Sequence, residues 1–266
     1  MINFEQYLIE RKGSSGGQQT KRKVNIEQLK QMIANRDSDI ADVDVSEITD
    51  MKELFKNSDF GGSWTADLSG WDTSKVVDMY AMFWGCKNLT KVELPHTESV
   101  KNMSSMFGGC TDLKEVSLPH TENVKDMDWM FSGCTNLKEV NLPHTENVTN
   151  MRSMFAGCRS LKEISLPHTE NVKNMNEMFW GCTKLVKVEL PNTQNTTEMV
   201  GMFEKCSKLT KVLLPSISKV EDMSKMFKGC KELEQDFSSW DITNVKKQYD
   251  MFNETKVVKF PEGYIE

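Results

Sequence analysis

The stretch LPHTENV at residues 118–124 recurs letter for letter at 142–148 and 166–172, and as LPHTESV at 94–100. It contains every histidine of the chain, His96, His120, His144 and His168, each two residues before a glutamate. An imidazole beside a carboxylate is a donor pair for a transition metal. On adjacent turns of a coiled chain these imidazoles would lie within one strand spacing, so two could share a Zn²⁺ or Cu²⁺. The alternative is that they are solvated corner residues after a proline. Asn192 and Ser216 stand at the same step in later repeats. The architecture therefore does not require histidine there, and neither a metal nor another cofactor is expected. The same stretch reads L-P-x-T, as cell-wall sorting signals do. Such a signal needs Gly after Thr and an apolar C-terminal segment, and here Glu follows in mid-chain.

Seven cysteines also carry potential chemistry. Cys86, Cys110, Cys134, Cys158, Cys182, Cys206 and Cys230 are each 24 residues apart. In a stack their side chains point the same way and an odd number cannot all pair, so buried free thiols filling a core are expected. A third column, Asp78, Asn102, Asp126, Asn150, Asn174, Glu198 and Asp222, is acidic or amidic at the same step. Capping of a local turn explains it better than Ca²⁺, because the dense acidic loop with its Gly is absent. Catalysis needs unlike groups converging at one irregular place, and this chain has like groups in columns. No phosphate loop, H-E-x-x-H or nucleophile elbow is present, so an enzyme is not expected.

The same period holds for Phe83 to Phe227 and for two methionine columns, Met79 to Met223 and Met82 to Met226. A period of 20–29 residues with an L-x-x-V-x-L string, as in Leu113, Val116 and Leu118, is the mark of a leucine-rich-repeat solenoid. Val116 and Leu118 alternate with Glu115 and Ser117, the pattern of a short strand with one buried face. Pro119 ends it, having no N–H to give. The next segment, VKDMDWMF from Val124, has apolar residues at i, i+3, i+6 and i+7, which predicts a short helix. Asp126 would cap that helix and Gly133 would stop it. The expected fold is an α/β solenoid, a right-handed coil with a parallel sheet on one face and short helical turns on the other.

Four regions are expected. Residues 1–24 form a flexible N-terminal segment, with GSSGGQQTKRK (13–23) as linker. Residues 25–82 hold a capping helix (NIEQLKQMIANR, 25–36) and irregular repeats. Residues 83–230 are regular coils, and 231–266 an irregular repeat and cap with KVVKF (256–260) as a last strand.

The strings W-D-T-S-x-V-x-D-M-x-x-M-F at 71–83 and G-C-x-x-L-x-x-V-x-L-P through the centre resemble the BspA-like leucine-rich-repeat family. The central coils are similar to the Treponema-type repeat. The resemblance covers about residues 40–260. It implies surface-displayed bacterial proteins, also carried by phages and protists, that act in adhesion or host-factor binding.

Net charge −6 argues against a general nucleic-acid binder, and no apolar run reaches the ~20 residues that span a bilayer. The start, MINFEQYLIERKG, lacks the pattern of a secretory signal. Location is therefore expected at the cell surface or outside only through the resemblance. The expected function is a non-enzymatic, monomeric scaffold that recognises a protein or glycan. Its outward strand residues would be Glu115, Glu139, Glu163 and Lys187, with Glu93, Ser117, Asn141, Ser165, Glu189 and Leu213 as a second row. Trp84, Trp129 and Trp180 stand in columns otherwise filled by Gly, Ser, Ala, Glu or Lys, and would be aromatic anchors or opportunistic surface packing. The alternative is a structural or virion-associated spacer docked by residues 1–24.

Overall fold

A computed structural model describes residues 21–37 and 39–265; the segment expected as a tether, up to residue 20, lies outside them. Alternating apolar residues make one short strand per coil. After β1 (Arg22–Lys23), β2 (Val43–Asp44) and β3 (Trp64–Asp67), these are β4 (Leu89–Glu93), β5 (Glu115–Ser117), β6 (Glu139–Asn141), β7 (Glu163–Ser165), β8 (Lys187–Glu189) and β9 (Lys211–Leu213). All pairing is parallel, and in the regular coils the register equals the repeat: Val116 faces Val140 and Val188 faces Val212. Matching letters therefore lie on top of one another. Strands β3 to β6 form one sheet and β7 to β9 a second; no ladder joins β6 to β7 among the described residues.

The chain enters through β1, which pairs with β2, so the end of the expected linker is ordered against the first coil. Helix α1 (Ile26–Asn35) starts at a capping box, in which Asn25 accepts from the Gln28 N–H and the Gln28 side chain accepts from the Asn25 N–H. Its Leu29, Met32 and Ile33 are buried. At the other end 256–260 is not a strand; Lys256 and Lys259 make single backbone bonds to Leu233 and Phe237.

On the other face the segments that the spacing predicts as helices are strings of turns. Within one coil the Met82 N–H donates to Met79, Trp84 to Ala81 and Cys86 to Phe83, the i→i+3 link that apolar spacing of three expresses. The intervening N–H groups leave the coil: Met79, Ala81, Phe83 and Gly85 donate to Asn102, Ser104, Met106 and Gly108 of the next. This is possible because residues four apart are left-handed, Ala81 at φ 51° and Gly85 at 73°, the third-residue conformation of a type II turn in every second turn. A true helix would keep those donors to itself. The acidic column caps these turns: Asp78 accepts from the Tyr80 N–H and Asp126 from Asp128. Glu198 is one carbon longer, and in its coil the side chain of Asn176 from the preceding coil takes the Val200 N–H instead, at 2.7 Å. Eight bridges run unbroken along this column from Asp50 to Lys247 among the described residues.

Between the faces the columns become the core. Met127, Met130, Phe131, Cys134 and Leu137 are fully buried, as are their equivalents in the neighbouring coils. The Phe rings from Phe83 to Phe227 stack with centroids 5.4–5.6 Å apart and planes within 8°. Each buried side chain of this size is worth ~1.5–3 kcal/mol relative to exposure.

Candidate functional site

The repeated LPHTEN corner does its chemistry inside the protein. The buried hydroxyls of Thr97, Thr121 and Thr145 donate to the backbone carbonyls of His120, His144 and His168, one coil on. Asn123, Asn147 and Asn171 reach back from the next coil to the Glu98, Glu122 and Glu146 carbonyls at 2.7–2.8 Å. The corner is thus stitched in both directions. Thr145→Val removes the hydroxyl, leaves the His168 carbonyl without that donor, and keeps the side chain's volume. It should cost about 1–3 kcal/mol in urea denaturation, while Thr145→Ser should lose less than half of that.

The imidazoles themselves face outward. Nδ1 of His96, His120, His144 and His168 lies 3.6, 3.7, 3.6 and 3.9 Å from the Glu98, Glu122, Glu146 and Glu170 carboxylates. The second oxygen of each of these glutamates is buried without a hydrogen-bond partner. Among the described residues no three His, Cys, Asp or Glu side chains converge as a metal site would need. The column is a set of His–Glu pairs, one per coil.

The seven thiols are free and buried. Each donates to a Phe carbonyl of the preceding coil, as Cys134 does to Phe107 at 3.0 Å. Burial pushes Cys86, Cys182 and Cys230 up to about 12 and Cys110, Cys134, Cys158 and Cys206 well above the ordinary thiol range. They have neither the exposure nor the charge of a nucleophile.

Outward strand residues form the first candidate surface. Glu115, Ser117, Glu139, Asn141, Glu163 and Ser165 are exposed, and Glu93, Lys187 and Glu189 half-exposed. Leu213 is 47% exposed at the end of the row. Glu93 is held by Lys91 at 2.6 Å and Glu189 by Lys187 at 2.5 Å. Glu115 sits directly opposite Glu139 in the ladder, and neither these two nor Glu163 has an ion-pair partner among the described residues. Like charges facing each other across strands are destabilising, so the Glu115–Glu139 pair adds nothing to stability, whereas Glu163 faces Lys187. A groove of about 520 Å³ runs along this acidic strip, with Lys91, Glu93, Glu115, Ser117 and Asn141 among its walls.

Trp84, Trp129 and Trp180 lie exposed on the turn side, away from that strip. Trp84 is packed rather than free. It fills the space that a side chain at Gly108 would need, with a ring carbon 2.7 Å from where that side chain's first carbon would stand. Trp129 and Trp180 instead flank a separate groove of about 530 Å³. Residue order alone marked the tryptophans and outward rows but missed the Thr and Asn stitches. Their signal was available, since Thr73, Thr97, Thr121, Thr145, Thr169 and Thr193 keep the period.

The sequence profile of the family described as "Mycoplasma protein of unknown function, DUF285" matches residues 24–140, 101–214 and 185–262. No curated protein matches the chain. Among solved structures, the leucine-rich repeat protein of Treponema pallidum, TpLRR, is 25% identical with a TM-score of 0.51, over 66% of this chain and 80% of that one. A leucine-rich repeat protein from Eubacterium ventriosum is 15% identical (TM-score 0.44), over 84% of this chain and 72% of that one. A leucine rich cell surface protein from Faecalibacterium prausnitzii is 17% identical (TM-score 0.28), over 70% of each chain. No helix among the described residues is long and apolar enough to cross a membrane.

Proposed function

Because the chain belongs to the DUF285 family and is built of BspA-like leucine-rich repeats, we propose that it is a non-enzymatic binding scaffold for a protein or glycan, acting in adhesion or host interaction outside the cell. The observation that carries this reading is the acidic strip. Inward positions of the strands repeat apolar letters and are buried or nearly so, whereas the outward rows are polar and exposed or half-exposed, with Glu115, Glu139 and Glu163 in one row and Ser117, Asn141 and Ser165 in the other. Among them Glu115 faces Glu139 across the ladder and neither has an ion-pair partner among the described residues, while Glu163, exposed in the next coil, faces Lys187. A partner that brings Lys or Arg side chains relieves that repulsion on binding.

The test uses the full chain, fluorescently labelled, on cultured epithelial cells read by flow cytometry. The wild-type protein should label the cells. The Glu115→Lys, Glu139→Lys, Glu163→Lys triple variant should lower labelling at least tenfold with an unchanged circular dichroism spectrum. Equal labelling by the two proteins, or none by either, would overturn the reading.

A further inference from the structure

The turn face carries a second surface whose chemistry differs from the acidic strip. In three consecutive coils the same two positions are linked by a turn hydrogen bond: Ser132 donates to Trp129, Ala156 to Ser153 and Trp180 to Glu177. Along the stack these make a patch two residues wide and three coils long, with tryptophans at diagonally opposite corners. Between the tryptophans lie Ser153, buried, and Ala156, nearly so. Gly133 and Gly157 line the same groove. The coil steps here measure 5.5 and 5.6 Å between Phe centroids, so two steps separate the coil of Trp129 from that of Trp180.

Trp129 is not placed there by the needs of folding. It is left-handed, at φ 55°, and 42% exposed. A bulky residue in that region is a steric outlier that costs on the order of 1 kcal/mol, and the neighbouring coils use Ser105 and Ser153 at this position. Exposing an indole there adds nothing to the core. Trp180, 38% exposed and part of the groove wall, has the Lys205 ammonium 4.8 Å from its ring centre.

The polar groups at this groove have both signs. Glu177 Oε2 accepts from the Ser153 hydroxyl at 3.1 Å, leaving Oε1 as a free acceptor. Arg159, exposed at the groove wall, makes no ion pair or hydrogen bond among the described residues and offers its full set of donors. An apolar peptide side chain entering here would desolvate Ser132, Thr135 and Arg159 without replacing their hydrogen bonds. A pyranose ring meets all of these demands. Its C–H face lies flat on an indole, its vicinal hydroxyls can be accepted by a carboxylate and donated to by a guanidinium, and the small residues between the tryptophans let it approach the backbone.

We propose that the Trp129–Trp180 groove is a carbohydrate-binding site that takes a hexose unit of an oligosaccharide, with Arg159 and Glu177 as its hydrogen-bonding pair. This deepens the scaffold reading by assigning a glycan to one surface, and it makes no use of the acidic strip. The probes are cellohexaose, chitohexaose and maltohexaose, titrated into the full chain and followed by tryptophan fluorescence and calorimetry. At least one should bind, and Trp129→Ser and Trp180→Ala should each weaken it tenfold or more. Both substitutions install residues that the neighbouring coils already carry at those steps. Trp84→Gly should leave the affinity within twofold. No binding of any probe by the wild-type chain, or binding that survives both substitutions, would overturn the proposal. Cell labelling lost in the triple lysine variant would stand in either case, so failure of the groove and failure of the scaffold reading are separable.

Discussion

Raised from pH 8 to pH 10, the protein should unfold in a steep transition that releases several protons per molecule. The cause is the thiol column. Buried thiols are held neutral in the folded chain, with Cys86, Cys182 and Cys230 at about 12 and the other four well above the ordinary value of 9.0. Loss of solvation is the main cause. The neighbouring cysteines add repulsion at Cys110, Cys158 and Cys206. Since the folded value is raised, the stabilisation is complete below the unfolded thiol value and is lost progressively as pH rises from there toward the folded values. Above the unfolded value the unfolded chain binds up to seven fewer protons, and each contributes about 1.4 kcal/mol per pH unit. By about pH 10 the seven together remove roughly 10 kcal/mol, comparable with the ~5–15 kcal/mol that holds an ordinary domain folded. Replacing Cys110, Cys134 and Cys158 by Ala should lower the pH slope of stability by about three protons, even though the triple variant is less stable at pH 7. At pH 8 dithionitrobenzoate should titrate no thiol of the intact protein faster than the protein unfolds. A rapid reaction of native thiols, or a slope unchanged in the triple variant, would contradict the burial that defines this core.

Phe155→Ala should cost about 3–5 kcal/mol and divide urea unfolding into two transitions. Phe155 stacks on Phe131 and Phe179, and its carbonyl accepts the Cys182 thiol at 3.1 Å. It also lies in the coil between β6 and β7, where strand pairing is missing among the described residues and the Phe stack, the turn ladder and the Thr145 and Asn171 side-chain bonds carry the coupling between coils. Phe203→Ala opens an equivalent cavity between β8 and β9, which are paired through three residues, and should leave a single transition. Stability in a solenoid is a sum of coil terms and nearest-neighbour contacts, so weakening one contact separates its two sides. Circular dichroism and tryptophan fluorescence should report the two steps at different urea concentrations. One unshifted transition in Phe155→Ala would mean that the coils are joined more tightly than this geometry provides.

The core could be read from residue order because a 24-residue step turns linear repetition directly into vertical stacking. Met127, Phe131, Cys134 and Leu137 needed no further information to be placed inside. The turn face was only half legible. Apolar spacing of three fits a helix and a string of turns equally well, and the two differ in the hand of two residues per coil, four apart. Gly85, Gly109 and Gly133 announce a left-handed position by their type, but Trp129, Glu177 and Lys225 occupy another such column without any compositional sign. The interruption after β6 was also silent, because Val140 and Ile164 are both good strand formers. For the candidate sites the sequence located exposed letters but not their grouping. In residue order Trp84 is equivalent to Trp180, whereas in the fold one lies against Gly108 and the other lines a groove.

The interruption of strand pairing also has a mechanical side. The molecule has two long seams, and the one on the turn side runs unbroken from Asp50 to Lys247 while, among the described residues, the strand side is interrupted between β2 and β3 and again between Asn141 and Ser165. A flexing motion that gapes the strand side at that place severs no strand-to-strand bond, whereas the same motion anywhere between β7 and β9 must tear one. Opening at that place breaks only side-chain links, the Thr145 hydroxyl on the His168 carbonyl and the Asn171 amide on the Glu146 carbonyl, together with the packing of the core.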